Sequence, residues 1–553
     1  MGAIMQLQFG GSEVRFKYRK IEGVEAVEAL PDYLVLDGQQ RLTSIFRSLY
    51  SKVPVVTVND QNKRIERLYY IDINKALSPD EDRFDAILSI PKDKKLKENF
   101  DRDIRLDLSS CELEFQEEFF PLNIIYDSSA REDWADGYKE YYEYSEEARE
   151  KYKQFRTKVI DTVISYKLPV ITLDKNTPRE AVCKVFENVN TGGVPLTVFE
   201  LVTAGFAADG FDLREDWETY KKVIWGLSEP LRTDILNGVT ETEYLTTITL
   251  YSNYLKKRNN AGSTSCKKRD VLNLPLDTYC SNRNAVVDGY KLARKFLLNQ
   301  NVFRKYDLPY QTQLIPLAAI CAFIGKSKFN EPSTQAILEQ WYWCGIFGEM
   351  YGGANETRYA NDIEDVVAEI EGEESLNRTK RAAFFSSTRL LSLQTRQSAA
   401  YKGVMALIYK ASCQDLIKGS IMTAIRSMDE PSDIHHIFPQ AYCESVGIPR
   451  EKWNSIINKT PLLPESNRAI GGGAPSRYLV LIKKKAEIAD SLLEERVKSH
   501  MIDFDELSND NFDDYFIDRT KRLLDAIESA MGKSISDRGS EEAIRIYGCS
   551  LVR

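Results

Sequence analysis

The sequence predicts a multidomain α+β chain, on three observations. Over roughly the first 200 residues, short apolar runs alternate with helical patterns. From about Phe199 to Met428 a helical period takes over, and after Asp433 a compact mixed segment precedes two long amphipathic stretches. At 553 residues the chain can hold about three or four structural units. Boundaries near 205 and 425 give three segments, 1–205, 206–425 and 426–553.

In the first segment "YLVLDG" (33–38) and "KLPVITLD" (167–174) are runs rich in Val, Ile and Leu that end at turn residues, as buried strands do. Between them the Tyr-rich, charged stretch 131–155 has helical spacing and predicts a solvated helical face. In the second, "AVVDGYKLARKFLL" (285–298) and "STQAILEQWYWCGIFGEMY" (333–351) place apolar residues at i, i+3 and i+4. "KKRNNAGSTSCKKRD" (256–270) predicts a basic loop. "LIPLAAICAFIG" (314–325) predicts a buried helix, being shorter than the roughly 20 residues a bilayer span needs. In the third, 483–501 and 515–533 predict amphipathic helices flanking the mixed segment.

Composition narrows the function classes. With 43% apolar and 28% charged residues the chain is of globular type. A net charge of −9 is evidence against a protein that coats DNA passively, but leaves room for a local basic groove. Nine scattered cysteines without a C-x-x-C pair imply neither a disulfide framework nor a zinc ribbon. The start "MGAIMQLQFGG" has no cationic n-region. A cytoplasmic chain with no membrane partner is the expectation.

The stretch "PSDIHHIFPQAY" (431–442) holds two of only three histidines. On a strand, His435 and His436 would face opposite ways, so one could meet a metal and the other a substrate or water. Two plainer readings exist: ordinary strand residues before a proline turn, or a structural zinc site with Cys443, for which no fourth ligand lies nearby. The whole spaced set is more informative. D-x-H-H-I-F-P (433–439), N-K-T-P-L (458–462) and Asn467-Arg468 together resemble the HNH, or His-Me finger, nucleases. That resemblance implies a ββα-metal domain gripping one divalent cation, Mg²⁺ or Mn²⁺. It implies His436 as the general base on the attacking water, His435, Asn467 and Asp433 as metal ligands, and Asn458 as the group that pins the hairpin loop. Arg468 and Arg477 are candidate phosphate clamps, since guanidinium forks match phosphate oxygens, and Lys483, Lys484 and Lys485 extend the basic cluster. His500, the third histidine, reads as a packing or capping residue.

The front carries a second signature. In "YLVLDGQQRLTSIFRSLY" (33–50) a strand ends at Asp37-Gly38 and a helix begins near Leu42. Free N–H groups at a helix start can hold an anion, and Arg41 could add charge-assisted bonds, although D-G is also simply a good turn. "DGQQR" (Asp37, Gly38, Gln39, Gln40 and Arg41) with Thr43, and "VFENVNTGGVPLTVFELVTA" (185–204) with Asn190, Gly192 and Gly193, resemble the ParB-like NTPase domain that opens the GmrSD-type restriction endonucleases. This implies a ParB-like α/β front domain binding and hydrolysing a nucleoside triphosphate, and a rear HNH domain cutting DNA. The family defends bacteria by attacking modified phage DNA. Its usual leading I-P-x-x-Q-R-x-x-x-W segment is missing here, so the front domain is expected to be truncated relative to the family. The combined expectation is a metal-dependent DNA endonuclease regulated by nucleotide. The alternative is a catalytically silent, nucleotide-dependent DNA-binding sensor. A helical scaffold would leave both ends unexplained.

Overall fold

The computed structural model describes residues 3–552 except 12–17, 19, 25–28, 59–63, 80–84, 99–102, 179–180, 183–184, 186–196, 227–234 and 424–432, and without the side chains of Glu98 and Asp433. The chain divides into two compact units, Met1–Gly193 and Val194–Arg553.

The first unit begins with β1 (Ile4–Gln8), β2 (Tyr33–Asp37) and α1 (Gln39–Leu49). There follow β3 (Val55–Val58), β4 (Arg64–Asp72), β5 (Ile87–Pro91), the hairpin strands β6 (Lys95–Glu98) and β7 (Asp103–Asp107), and β8 (Phe119–Pro121). Helices α2 (Ser128–Tyr141) and α3 (Glu146–Phe155) lead to β9 (Val170–Leu173). One sheet has the order β2-β1-β9, with β1 antiparallel to β2 and parallel to β9. In the second sheet β4 pairs with β3, β5 and β8. The expectation of buried strands at 33–38 and 167–174 fails: β2 and β9 are the two edges of this sheet, Tyr33, Val170 and Ile171 are exposed, and of β2 only Leu34 is buried.

Residues 131–155 are likewise not one solvated face. Positive φ at Glu143 and Tyr144 breaks the stretch into α2 and α3. Their inner faces bury Trp134, Tyr138, Tyr152 and Phe155 against Phe115 and Phe120. Tyrosines conceal the amphipathicity, because each contributes a buried ring and a polar tip. Trp134 also donates to the carboxylate of Glu114 (3.1 Å), which accepts from Tyr70 (2.9 Å) and Lys94 (2.9 Å) as well. A carboxylate this deeply buried is tolerable only because it is so fully satisfied.

The second unit is mainly helical: α4 (Glu241–Arg258), α5 (Leu276–Asn299), α6 (Leu314–Phe329), α7 (Pro332–Phe347) and α8 (Ala399–Lys410). Thr240 and Glu243 form a capping box that fixes the start of α4. Helices α5 and α6 approach so closely at Gly289 that a Cβ there would lie 2.2 Å from the carbonyl oxygen of Ala318. Helix α6 is buried continuously from Leu314 to Cys321, as its apolar run predicts. Among the described residues no helix is long and apolar enough to cross a membrane.

The C-terminal part of this unit contains β10 (Asp433–His436), β11 (Lys459–Leu462), α9 (Pro464–Ile470), α10 (Pro475–Ala486), α11 (Asp490–Lys498) and α12 (Phe512–Met531). Helix α12 packs on α7 and α8, and α8 also meets β11. The stretch 483–501 is two helices rather than one, because Glu487 at φ 53° ends α10.

Candidate active site

Strands β10 and β11 are antiparallel, with His435 opposite Thr460 and His436 opposite Lys459. Pro464 at the first helical position then starts α9, where its missing N–H costs nothing. Helix α9 packs on β10, so a two-stranded ribbon is followed by a helix laid against it. Strand alternation sends Ile434 and His436 to one face and His435 to the other.

The connection between the strands is pinned from within. Asn458 Oδ1 accepts from the backbone N–H of Phe438 (2.9 Å), and its Nδ2 donates to the carbonyls of Phe438 (2.9 Å) and Trp453 (2.9 Å). The backbone carbonyl of Asn458 takes the N–H of Ile437 (2.9 Å). Asn458 is completely buried, so each of these bonds replaces one that water can no longer supply.

Buried groups from distant parts of the unit hold this arrangement. On α12, Arg519 donates to the carbonyls of Ile457 (2.7 Å) and Lys459 (2.9 Å), and Tyr515 donates to Ile457 (3.1 Å). On α10, the Tyr478 hydroxyl donates to the carbonyl of Ile437 (2.9 Å). Asp415, wholly buried, accepts from the backbone N–H of Leu463 (2.9 Å) and the hydroxyl of Ser466 (2.8 Å), fixing the first turn of α9 beside Asn467. It also accepts from the N–H groups of Ile417 (3.1 Å) and Lys418 (2.9 Å). Arg496 completes this corner through the carbonyls of Leu416 (2.9 Å) and Ile417 (2.7 Å).

The electrostatics at His436 favour a neutral imidazole. Burial pushes its pKa below the ordinary 6.5; a contact with Asn454 opposes the shift and the charge of Lys459 adds to it. The Nε2 atom lies 3.3 Å from Asn454 Oδ1, and the ring meets Trp453 edge-on at 5.4 Å between centroids. A neutral, oriented imidazole can accept a proton near neutral pH. Lys459 is itself pushed down to about 8, by burial and by the nearby positive charge of Arg396. His500 sits in the interior as a packing residue: its Nδ1 pairs with Thr460 Oγ1 at 2.6 Å and its Nε2 with the Gln414 carbonyl at 2.7 Å. Burial lowers its pKa to about 4.

The candidate metal donors are one imidazole, His435, and one amide, Asn467, both half-buried and on adjoining elements. The Asp433 side chain lies outside the described residues. Among the described residues no three His, Cys, Asp or Glu side chains come together to hold a metal. One imidazole and one amide leave most coordination positions of a divalent cation to other donors. Arg468 and Arg477 are exposed on α9 and α10. In the lysine cluster, Lys483 pairs with Asp490 (2.7 Å) and Lys485 with Glu465 (3.2 Å).

In the first unit the turn Asp37–Arg41 is built differently. Gly38 has φ +94°, a conformation that side chains rarely adopt, and this reversal lets α1 begin at Gln39 rather than near Leu42. Arg41 pairs with Asp37 at 2.5 Å, one helical turn apart, so an incoming anion would compete with that carboxylate. Gln40 is exposed and Thr43 half-buried on the same helix. Asn190, Gly192 and Gly193 lie outside the described residues.

None of Asp415, Arg519, Tyr478 or Tyr515 was marked by a motif. Each is a polar group far along the chain from what it braces, and only the weak hint of polar residues inside apolar helical patterns could have pointed to them.

Comparison with known proteins gives a class first. Residues 12–207 match the family described as GmrSD restriction endonuclease, N-terminal domain. The match is a likeness of the front part of the chain to the N-terminal domain of that restriction endonuclease family. The chain is also 26% identical, over 529 residues, to an uncharacterized protein of Methanocaldococcus jannaschii, covering 90% of this chain and 84% of that one.

Proposed function

We propose that the chain is an HNH-type, metal-dependent DNA endonuclease, gated by a nucleoside triphosphate at its front unit and directed at phage DNA, modified DNA included. The observation that carries this reading is the antiparallel ribbon with His435 and His436 on one strand, locked by Asn458 and followed by the helix bearing Asn467. His436 takes the proton of the attacking water. Its burial and its contact with Asn454 suit that role. His435 and Asn467, with Asp433, would hold the divalent cation, which when bound supplies Lewis-acid stabilisation of the phosphate. Arg468 and Arg477 approach the DNA phosphates from the exposed sides of α9 and α10. In the front unit, Asp37 to Arg41 and Thr43, with Asn190 and Gly192, take the nucleotide, and hydrolysis supplies a two-state switch of the kind a nuclease needs to spare its host.

The test is conversion of supercoiled plasmid, unmodified or carrying phage-type base modification, with Mg²⁺ or Mn²⁺ against chelator. The native chain is expected to cut only with metal. His436→Ala should lose about 10²- to 10⁴-fold, the usual worth of a positioned base. DNA binding with no cutting under any condition would replace this reading by the silent sensor.

A further inference from the structure

A cleft of about 520 Å³ opens beside the histidine strand, in the size range of sites that take a small molecule or a nucleoside. Its floor is α8, which presents Tyr401 and Tyr409 two turns apart. Ile434 of β10 closes one end. Since Ile434 and His436 share a face two residues apart, the cleft ends within about 7 Å of the catalytic strand position. Lys459, opposite His436, lies 5.8 Å from the ring centroid of Tyr401, which ties the same wall to both.

Two rim residues are unusual. Tyr306 is 71% exposed, a large aromatic ring standing at the mouth of a cavity rather than inside a core, with the Lys305 ammonium 5.1 Å from its ring centroid. Arg396 is exposed, forms no ion pair among the described residues, and faces the positive charge of Lys459. The lining also holds Lys402 and one carboxylate, Asp307, so with Arg396 and the neighbouring Lys459 the cleft keeps a net positive charge that favours an anion. The exposed amide of Gln397 adds a donor and an acceptor at the same edge. An aromatic platform, an amide and an unpaired guanidinium are the groups that recognise, in turn, a base face, a base edge and a phosphate.

We propose that this cleft receives a single nucleotide extruded from the DNA duplex, with its base against Tyr306 and its phosphate on Arg396. The proposal rests on the nuclease reading for the nature of the polymer, because the cleft adjoins His436. Extrusion costs unpairing and unstacking, and least where a nucleotide is already unpaired. The protein therefore prefers a duplex with one unpaired nucleotide over a fully paired duplex.

The experiment is equilibrium binding of the full chain, without divalent metal, to two labelled duplexes that differ only by one bulged nucleotide. Native protein is expected to favour the bulged duplex by about tenfold, the worth of one stacked base. Tyr306→Ala should remove that preference, while Tyr166→Ala, an exposed tyrosine in the first unit, keeps it. Arg396→Ala should lower the salt slope of binding by about one ion. Because both substituted cleft residues are exposed, the fold is expected to survive, and circular dichroism of the variants checks this. Equal affinity of native protein for both duplexes overturns the proposal, as does a preference unchanged in Tyr306→Ala. Competition by thymidine monophosphate without any duplex preference would assign the cleft to a free nucleotide and also overturns it. No step depends on cutting. A chain that cuts without the preference keeps the nuclease and loses the cleft, and one that shows the preference but never cuts does the reverse.

Discussion

The two candidate sites of this molecule are built on opposite plans. The ribbon of β10 and β11 and its flanks are held by buried groups arriving from α10, α12 and Asp415, which take the carbonyls of Ile437, Ile457 and Lys459 and the N–H of Leu463. The turn at Asp37–Arg41 rests on a small sheet with an exposed edge, and its one charged pair is half open to solvent. A group that must accept a proton at a fixed point needs a rigid, dry support. A turn that waits for a ligand needs the reverse: a self-satisfied resting state that an anion can displace.

The largest expected effect breaks the braced side. Asp415→Ala strands the buried N–H of Leu463 and the hydroxyl of Ser466, and removes an acceptor from the N–H groups of Ile417, which keeps Ser466 Oγ (3.2 Å), and Lys418. It should cost roughly 3 kcal/mol or more, at about 1–3 kcal/mol per unsatisfied buried group, and abolish cutting, as read by denaturant unfolding and plasmid conversion. Asn458→Ala removes three side-chain bonds at the loop and is expected to cost about 2–4 kcal/mol. A Tm within a degree of native in either variant would mean that these bonds do not brace the ribbon.

Acid acts on the same side. His500 has its pKa lowered to about 4 in the fold against 6.5 when free, chiefly by burial, so the unfolded chain binds more protons between those values. Its contribution is fully present above pH 6.5 and is lost as pH falls towards 4, a loss on the order of 3 kcal/mol. His500→Gln should flatten the unfolding free energy across that window. A slope equal to native would place the acid sensitivity elsewhere.

The smallest effect belongs to the front. Arg41→Ala removes a partly exposed i,i+4 pair and should change stability by about 0–1 kcal/mol. A loss as large as that of Asp415→Ala would erase the contrast between the two regions.

What the sequence disclosed follows the same divide. The histidine strand, Asn458 and Asn467 fall within 35 residues of one another, and a short spaced pattern is visible as text. Arg519 and Asp415 brace that pattern across 62 and 48 residues, where spacing carries no signal. The buried run of α6 was legible because apolar length alone decides it, and the strand at 33–37 was legible in place but not in burial, since it too lies at a sheet edge. The core of α2 and α3 was hidden by tyrosines and charges, and β9 gave the composition of a buried strand to an edge.

One measurement tests the division of labour most directly: metal-supported plasmid cutting by native protein, His436→Ala and Arg41→Ala in parallel, with and without nucleoside triphosphate. Chemistry at the ribbon and control at the front turn predict that His436→Ala cuts about 10²- to 10⁴-fold more slowly than native in either condition. They also predict that Arg41→Ala cuts at a rate nucleotide no longer moves. Cutting by His436→Ala at the native rate, or full nucleotide dependence in Arg41→Ala, would contradict the account.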